Sequence, residues 1–161
     1  MAKILISACL LGCKVRYNAS DLVIADVNFE KLVAIHEVVS FCPEVSAGMS
    51  IPRAPAEIKG GDGFDVLSGK AKVIDMDGQK LDEGFITAAK NTLSKCKNEN
   101  IQFAILAESS PSCGSSQIYD GSFNNTKRTG KGVTAALLEQ NDIRVFNQYQ
   151  AADLLQLLPS V

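Results

Sequence analysis

The chain has 161 residues, of which 46% are hydrophobic and 21% are charged, and its formal net charge is -2. This composition supports one domain with an apolar core and excludes a disordered protein, so we expect a single domain over residues 1–161. The charge balance shows no basic patch and the apolar runs are short, which excludes nucleic acid as the main partner and a membrane span.

The predicted elements alternate between short apolar strands and helices. In chain order they are a strand at 3–9, a helix at 28–36, a strand at 37–42, a helix at 81–100, a strand at 101–107, a helix at 132–142, a strand at 143–147 and a helix at 151–158. Prolines and glycines predict an irregular loop at 51–65, and 66–79 is predicted as a small hairpin or two extended pieces.

Two further features support the long helix at 81–100. Asp82 is a suitable N-cap, and apolar residues recur on one face at helical spacing. The residues of that face are Phe85, Ala89, Leu93 and Cys96. We therefore expect Cys96 to be a core residue.

The predicted strands are apolar throughout and do not alternate between polar and apolar residues. This pattern is typical of a parallel sheet that is covered by helices on both faces. We therefore expect a three-layer, Rossmann-like α/β domain. In such sheets, binding sites lie outside the carboxyl ends of the strands.

Five cysteines are present, Cys9, Cys13, Cys42, Cys96 and Cys113. A disulfide framework would leave one of them unpaired, so thiol or metal chemistry in a reducing cytoplasm is the better interpretation.

Cys9 and Cys42 end the first two predicted strands, and Cys113 follows the strand at 101–107. We expect these three to share a site at one edge of the sheet, although thiols also pack well at strand ends. Cys13 is interpreted as a bystander in the loop of Cys9.

Three kinds of thiol site remain open at this point. Zinc sites and redox thiols often use Cys-x-x-Cys pairs, and this sequence has none. An iron–sulfur cluster on three thiolates would leave one iron without a protein ligand, and that iron could act as a Lewis acid on a substrate sulfur. A zinc ion or cluster held for structure or sensing, and a redox disulfide pair, are the alternatives.

Other polar residues are predicted at the same edge. Glu44 follows Cys42 and could take a proton from water, or it is a solvated loop carboxylate. Ser110 and Ser112 flank Cys113, where they could also serve turn chemistry. Arg16 lies in a loop and could orient a polar substrate, while Lys131 in "TGKGVT" begins a helix and suggests an anion site. We expect Ser112, Arg16 and Lys131 to contact substrate.

Several longer motifs carry a family resemblance. They are "ILISACLLG", "CPEV", "IPRAPAEIKGGDG", "SPSCGSSQIYDGSF" and "GKGVTAALL". In this order, and over about residues 3 to 147, they resemble the bacterial thiouracil desulfidase family, which was long catalogued as a domain of unknown function. The resemblance is specific for the family and less so for the substrate.

The resemblance implies a [4Fe-4S] cluster on Cys9, Cys42 and Cys113, with the fourth iron open. It implies a non-redox removal of sulfur from a small thiolated compound such as thiouracil, in which water replaces the sulfur and the sulfur leaves onto the open iron. Glu44 would activate the water, and Ser110 would transfer a proton or contact the substrate. Such a cluster would be lost readily from protein that is handled in air.

Overall fold

A four-stranded parallel sheet forms the centre of the computed structural model, which describes residues 2–158. Its strands, numbered with all others in chain order, are β1 (Lys3–Ser7), β2 (Glu37–Phe41), β5 (Phe103–Ile105) and β8 (Arg144–Phe146). They lie in the order β2-β1-β5-β8, and each neighbouring pair is parallel. The predicted α/β class is therefore confirmed.

Helices cover both faces of this sheet. The α-helices are α1 (Val27–Ile35), α2 (Pro43–Ser46), α3 (Gly63–Leu67), α4 (Asp82–Asn98), α5 (Val133–Gln140) and α6 (Ala151–Leu157). Ile4 and Ile6 pack with residues of α1 and α6, whereas Leu5 packs with residues of α4 and α5. Successive strand residues point to opposite faces, so β1 contributes to a core on each side. The three-layer expectation is confirmed.

The segment at 51–65 was predicted to be an irregular loop, and this prediction is wrong. It contains β3 (Ala56–Lys59), which pairs antiparallel with β4 (Lys72–Asp75), and the beginning of α3. A capping box begins α3, because the Asp62 carboxylate accepts hydrogen bonds from the N–H groups of Phe64 and Asp65. Because glycines surround this helix start, the sequence pattern predicted a loop there. The extended stretch predicted at 66–79 is correct only for β4.

A short hairpin was also missed, and one cap was assigned wrongly. The hairpin pairs β6 (Gln117–Tyr119) with β7 (Lys127–Thr129), and all three residues of β7 are exposed, so no apolar pattern marks it. The N-cap of α4 is Leu81, and the Asp82 carboxylate instead accepts the Val73 N–H at 2.7 Å. This bond ties α4 to β4.

Each strand near the site ends earlier than its apolar run predicts. β1 ends at Ser7, and a 3₁₀ turn at Ala8–Leu11 carries Cys9. β2 ends at Phe41, immediately before Cys42. The cysteines therefore sit in the turns just beyond the sheet. None of the helices within residues 2–158 is long and apolar enough to cross a membrane.

Candidate active site

A cavity of about 780 Å³ opens beyond the carboxyl ends of β1, β2 and β5. Segments that follow the three strands contribute to its wall. The predicted site residues among its lining are Cys9, Cys42, Cys113, Glu44, Ser110 and Arg16. The structure thus brings together six of the eight residues that were expected to act on substrate or cofactor.

Each of the three cysteines is held by local backbone structure. Cys9 lies in the 3₁₀ turn that ends at Gly12, where a φ of +99° favours glycine. Cys42 is the N-cap of α2, whose first residue is Pro43. Cys113 is placed by the loop after β5, where its N–H donates to Ser110 Oγ at 3.2 Å.

The three thiols influence one another electrostatically. Burial raises the pKa of Cys9 to about 11, with the charge of Cys42 adding to the shift. Burial also raises the pKa of Cys42. For Cys113, burial raises the pKa most, followed by the charges of Cys42, Glu44 and Cys9. Without a ligand these groups are protonated thiols at neutral pH, so metal binding would release protons.

Three thiols are donors of the type that iron–sulfur clusters use. Within residues 2–158, no three His, Cys, Asp or Glu side chains are grouped so that they could hold one metal ion. Cys9, Cys42 and Cys113 nevertheless lie on the wall of one cavity, and the charges of Cys42 and Cys9 contribute to the raised pKa of Cys113. The residue types at this site are therefore compatible with a cluster.

Glu44 is paired with an arginine that spacing in the sequence does not identify. Arg53 Nη2 donates to Glu44 Oε1, and the two side chains are 12% and 15% exposed. The Arg53 guanidinium also donates to the Ala54 carbonyl at 2.9 Å and lies over the rings of Phe85 and Tyr17. An arginine in the irregular segment "PRAP" would ordinarily be a surface residue, and only its packing shows otherwise.

Ser110 is oriented by the loop that also carries Cys113. Its Oγ accepts hydrogen bonds from the N–H groups of Ser112, at 3.1 Å, and Cys113, at 3.2 Å. Because these bonds occupy the oxygen's acceptor positions, the hydroxyl proton is free to be donated into the cavity.

Glu108, which the sequence alone does not distinguish from a loop surface charge, organises this loop. Its Oε1 accepts from the backbone N–H groups of Ser109, Ser115, Ser116 and Gln117. Its Oε2 accepts from the Ser116 hydroxyl and from the side-chain amide of Asn147, both at 2.6 Å. Burial opposes ionisation of this carboxyl, but the hydrogen bonds outweigh it and lower its pKa to about 2.

Two expected substrate contacts lie outside the cavity lining. Ser112 is fully buried, and its hydroxyl shares a 2.7 Å hydrogen bond with Thr134 Oγ1. Lys131 Nζ donates to the Ser115 carbonyl at 2.8 Å and to Glu139 at 3.3 Å. Both side chains therefore contact neighbouring protein groups in this structure, and a substrate contact by either of them stays a prediction.

The anion site suggested by "TGKGVT" is corrected. The first N–H groups of α5 are already used, because Val133 donates to the Pro111 carbonyl and Thr134 donates to the Ser112 carbonyl. Gly132 is needed for close packing instead. A Cβ atom there would stand 2.5 Å from the Ser112 carbonyl carbon.

The remaining cysteines and the histidine lie elsewhere. Cys96 is fully buried in the core, as predicted, and Cys13 is exposed. His36 is the C-cap of α1, and its Nδ1 accepts the Ala2 N–H at 3.1 Å. The His36 side chain is buried.

The chain is similar to known proteins in sequence and in fold. Residues 4–150 match the 2-thiouracil desulfurase family. The chain belongs to this family. A relative from Bacillus subtilis (strain 168), the uncharacterized protein YbbK, is 46% identical over 152 residues, which span 94% of this chain and 99% of the relative. The solved structure of the [4Fe-4S]-dependent thiouracil desulfidase TudS is similar with a TM-score of 0.85 and 37% identity, covering 98% of this chain and all of TudS.

Proposed function

We propose that this member of the 2-thiouracil desulfurase family is an iron–sulfur-dependent enzyme that removes sulfur from a small thiolated compound such as thiouracil. The observation that supports this most strongly is the sharing of one cavity by three thiols, a paired carboxylate and an oriented hydroxyl. Its volume of about 780 Å³ lies in the range of small-molecule sites. Free thiols throughout the chain suit a reducing cytoplasm.

In this proposal Cys9, Cys42 and Cys113 hold a [4Fe-4S] cluster, and the cluster, when bound, supplies an iron without a protein ligand that acts as a Lewis acid toward the substrate's sulfur. Cys96 is buried in the core and Cys13 is exposed in its loop, and neither lines the cavity, which supports a cluster with three protein ligands.

Glu44 acts as the base for water. The Arg53 guanidinium pairs with its carboxylate, and an ionised carboxylate is the form that can accept a proton. The carboxylate lines the same cavity as the three thiols, so a water between it and the substrate carbon could be deprotonated as it attacks. The contact with Arg53 holds the Glu44 carboxylate in the cavity wall.

Ser110 acts as a donor to the substrate. Its oxygen is fixed by two backbone N–H groups, so its proton points away from the loop. A proton from this hydroxyl would stabilise negative charge on the substrate during attack by water. Overall, the C=S bond becomes C=O, the oxygen comes from water, and the sulfur departs as sulfide without a net transfer of electrons.

The test is a single-substrate assay with the anaerobically reconstituted chain. Thiouracil should be converted to uracil with release of one equivalent of sulfide, and no added oxidant or reductant should be required for turnover. Cys13→Ala should retain the activity, whereas Cys42→Ala should abolish it. Full activity in Cys42→Ala, or uracil formation that depends on an added oxidant, would contradict the proposal.

A further inference from the structure

We infer that Ser7 is a positioning residue that donates a hydrogen bond to Cys113 Sγ and so tunes this sulfur as a ligand. The inference rests on the proposed function, because it concerns Cys113 as a ligand to the cluster. Ser7 Oγ lies 3.9 Å from Cys113 Sγ, although 106 residues separate them in the sequence. Such a distance is within the range for a hydrogen bond to sulfur, whose acceptor radius is large.

The direction of this hydrogen bond follows from the other partner of Ser7. The Ala107 N–H donates to Ser7 Oγ at 3.2 Å, so the serine oxygen is already an acceptor. The hydroxyl proton is then free to be donated, and the nearby sulfur is an acceptor. The Ser112 hydroxyl shares a 2.7 Å hydrogen bond with Thr134 Oγ1 and also interacts with Cys113, so Ser7 is one of two hydroxyls near this sulfur and the one that comes from the sheet.

The contact between Ser7 and Cys113 is shielded from solvent. Ser7 is 3% exposed and Cys113 is 7% exposed, so little water competes for either group. Ser7 ends β1, and Ala107 follows the neighbouring strand β5, so both are fixed by the sheet. The hydroxyl therefore joins two strand ends to the loop that carries Cys113.

A hydrogen bond donated to a ligand sulfur has a defined chemical effect. It withdraws electron density from the thiolate and stabilises the more negative, reduced state of a cluster, which raises the reduction potential. The same withdrawal leaves the iron centre more electron-poor and so a better Lewis acid. Ser7 would thus adjust the cluster through its ligand Cys113.

The experiment compares Ser7→Ala with Thr92→Val in the full chain with its cluster reconstituted. Thr92 provides a matched control because its hydroxyl is also fully buried but bonds only to the Ala88 carbonyl within α4. The readout is the midpoint reduction potential, followed by electron paramagnetic resonance of the reduced cluster. Ser7→Ala should shift the potential to a more negative value, and Thr92→Val should leave it at the wild-type value.

Each outcome has a separate meaning. An unchanged potential in Ser7→Ala with full iron content would overturn the role of Ser7 and leave the proposed function intact. If Ser7→Ala holds no cluster, Ser7→Thr, which keeps the hydroxyl, should hold it, and failure of both would show that only packing matters at this position. A wild-type chain that takes up no iron contradicts the proposed function, and the role of Ser7 with it.

Discussion

Arg53 and Glu44 form an ion pair in the wall of the cavity, and both side chains are largely withdrawn from solvent. Because removing one partner leaves the other charge buried and unpaired, Arg53→Ala should lower the free energy of unfolding by about 3 kcal/mol. It should also lower desulfurisation, since Glu44 loses the group that holds it. Urea unfolding of the cluster-free chain and the thiouracil assay measure the two effects.

The matched comparison for Arg53 is Arg53→Lys. Lysine keeps the positive charge for Glu44 but cannot also reproduce the guanidinium contacts with the Ala54 carbonyl and the Phe85 ring. It should therefore recover part of both losses. Equal stability of the Arg53→Ala and wild-type proteins would argue against a functional ion pair.

Replacing Glu44 by glutamine should separate chemistry from cluster binding. Glutamine has nearly the same shape but cannot accept the proton from water, and loss of a general base typically costs a factor of about 10² to 10⁴ in rate. The iron content of Glu44→Gln should match that of the wild type, because the three cysteines are unchanged. Wild-type turnover in this variant would remove Glu44 from the mechanism.

Glu108 should make stability sensitive to acid. Its pKa is lowered from 4.5 to about 2 in the folded chain, so its contribution is present above pH 4.5 and is lost as the pH falls through about 2. This contribution is about 2 kcal/mol when discounted for partial exposure. The free energy of unfolding of the cluster-free chain, measured at several pH values, should fall less steeply toward acid pH in Glu108→Gln than in the wild type. An equally steep fall in the two proteins would mean that other carboxyls dominate the acid sensitivity.

Gly132 should tolerate no side chain. A Cβ atom at this position would lie within 2.5 to 2.8 Å of Ser112 carbonyl atoms and the Cys113 nitrogen, so Gly132→Ala must displace the loop that carries Cys113. We expect both reduced stability and reduced iron uptake. Gly84→Ala is the control, because its new Cβ atom would only meet the flexible side chain of Met49 at 3.4 Å. Normal iron uptake in Gly132→Ala would show that the loop can shift without losing the ligand.

The parts of the fold that could be predicted are those with a strong local pattern. Apolar runs predicted β1, β2, β5 and β8, and helical spacing predicted α4. Because sites in parallel sheets lie outside the carboxyl ends of the strands, Cys9, Cys42 and Cys113 were then predicted to lie at one edge of the sheet. Three-residue strands such as β7 have no such pattern, because all of their residues are exposed.

The parts of the site that could not be predicted depend on contacts between distant segments. The pairing of Arg53 with Glu44 requires the irregular chain between them to fold back, and the approach of Ser7 to Cys113 joins residues 106 positions apart. Lys131 and Ser112 matched a substrate-binding pattern locally, but packing of the loop against α5 turned both toward structural partners. Local patterns carry no information about which side of a loop faces the cavity.

The iron and acid-labile sulfide content of the anaerobically reconstituted chain tests the central claim most directly. We expect about four of each per wild-type chain, as a [4Fe-4S] centre contains. We expect the same content in Cys13→Ala and Cys96→Ala, and loss of the cluster in the alanine variants of Cys9, Cys42 and Cys113. A wild-type chain that binds neither iron nor sulfide, while titration of the unfolded chain counts five reduced thiols, would contradict the proposed function.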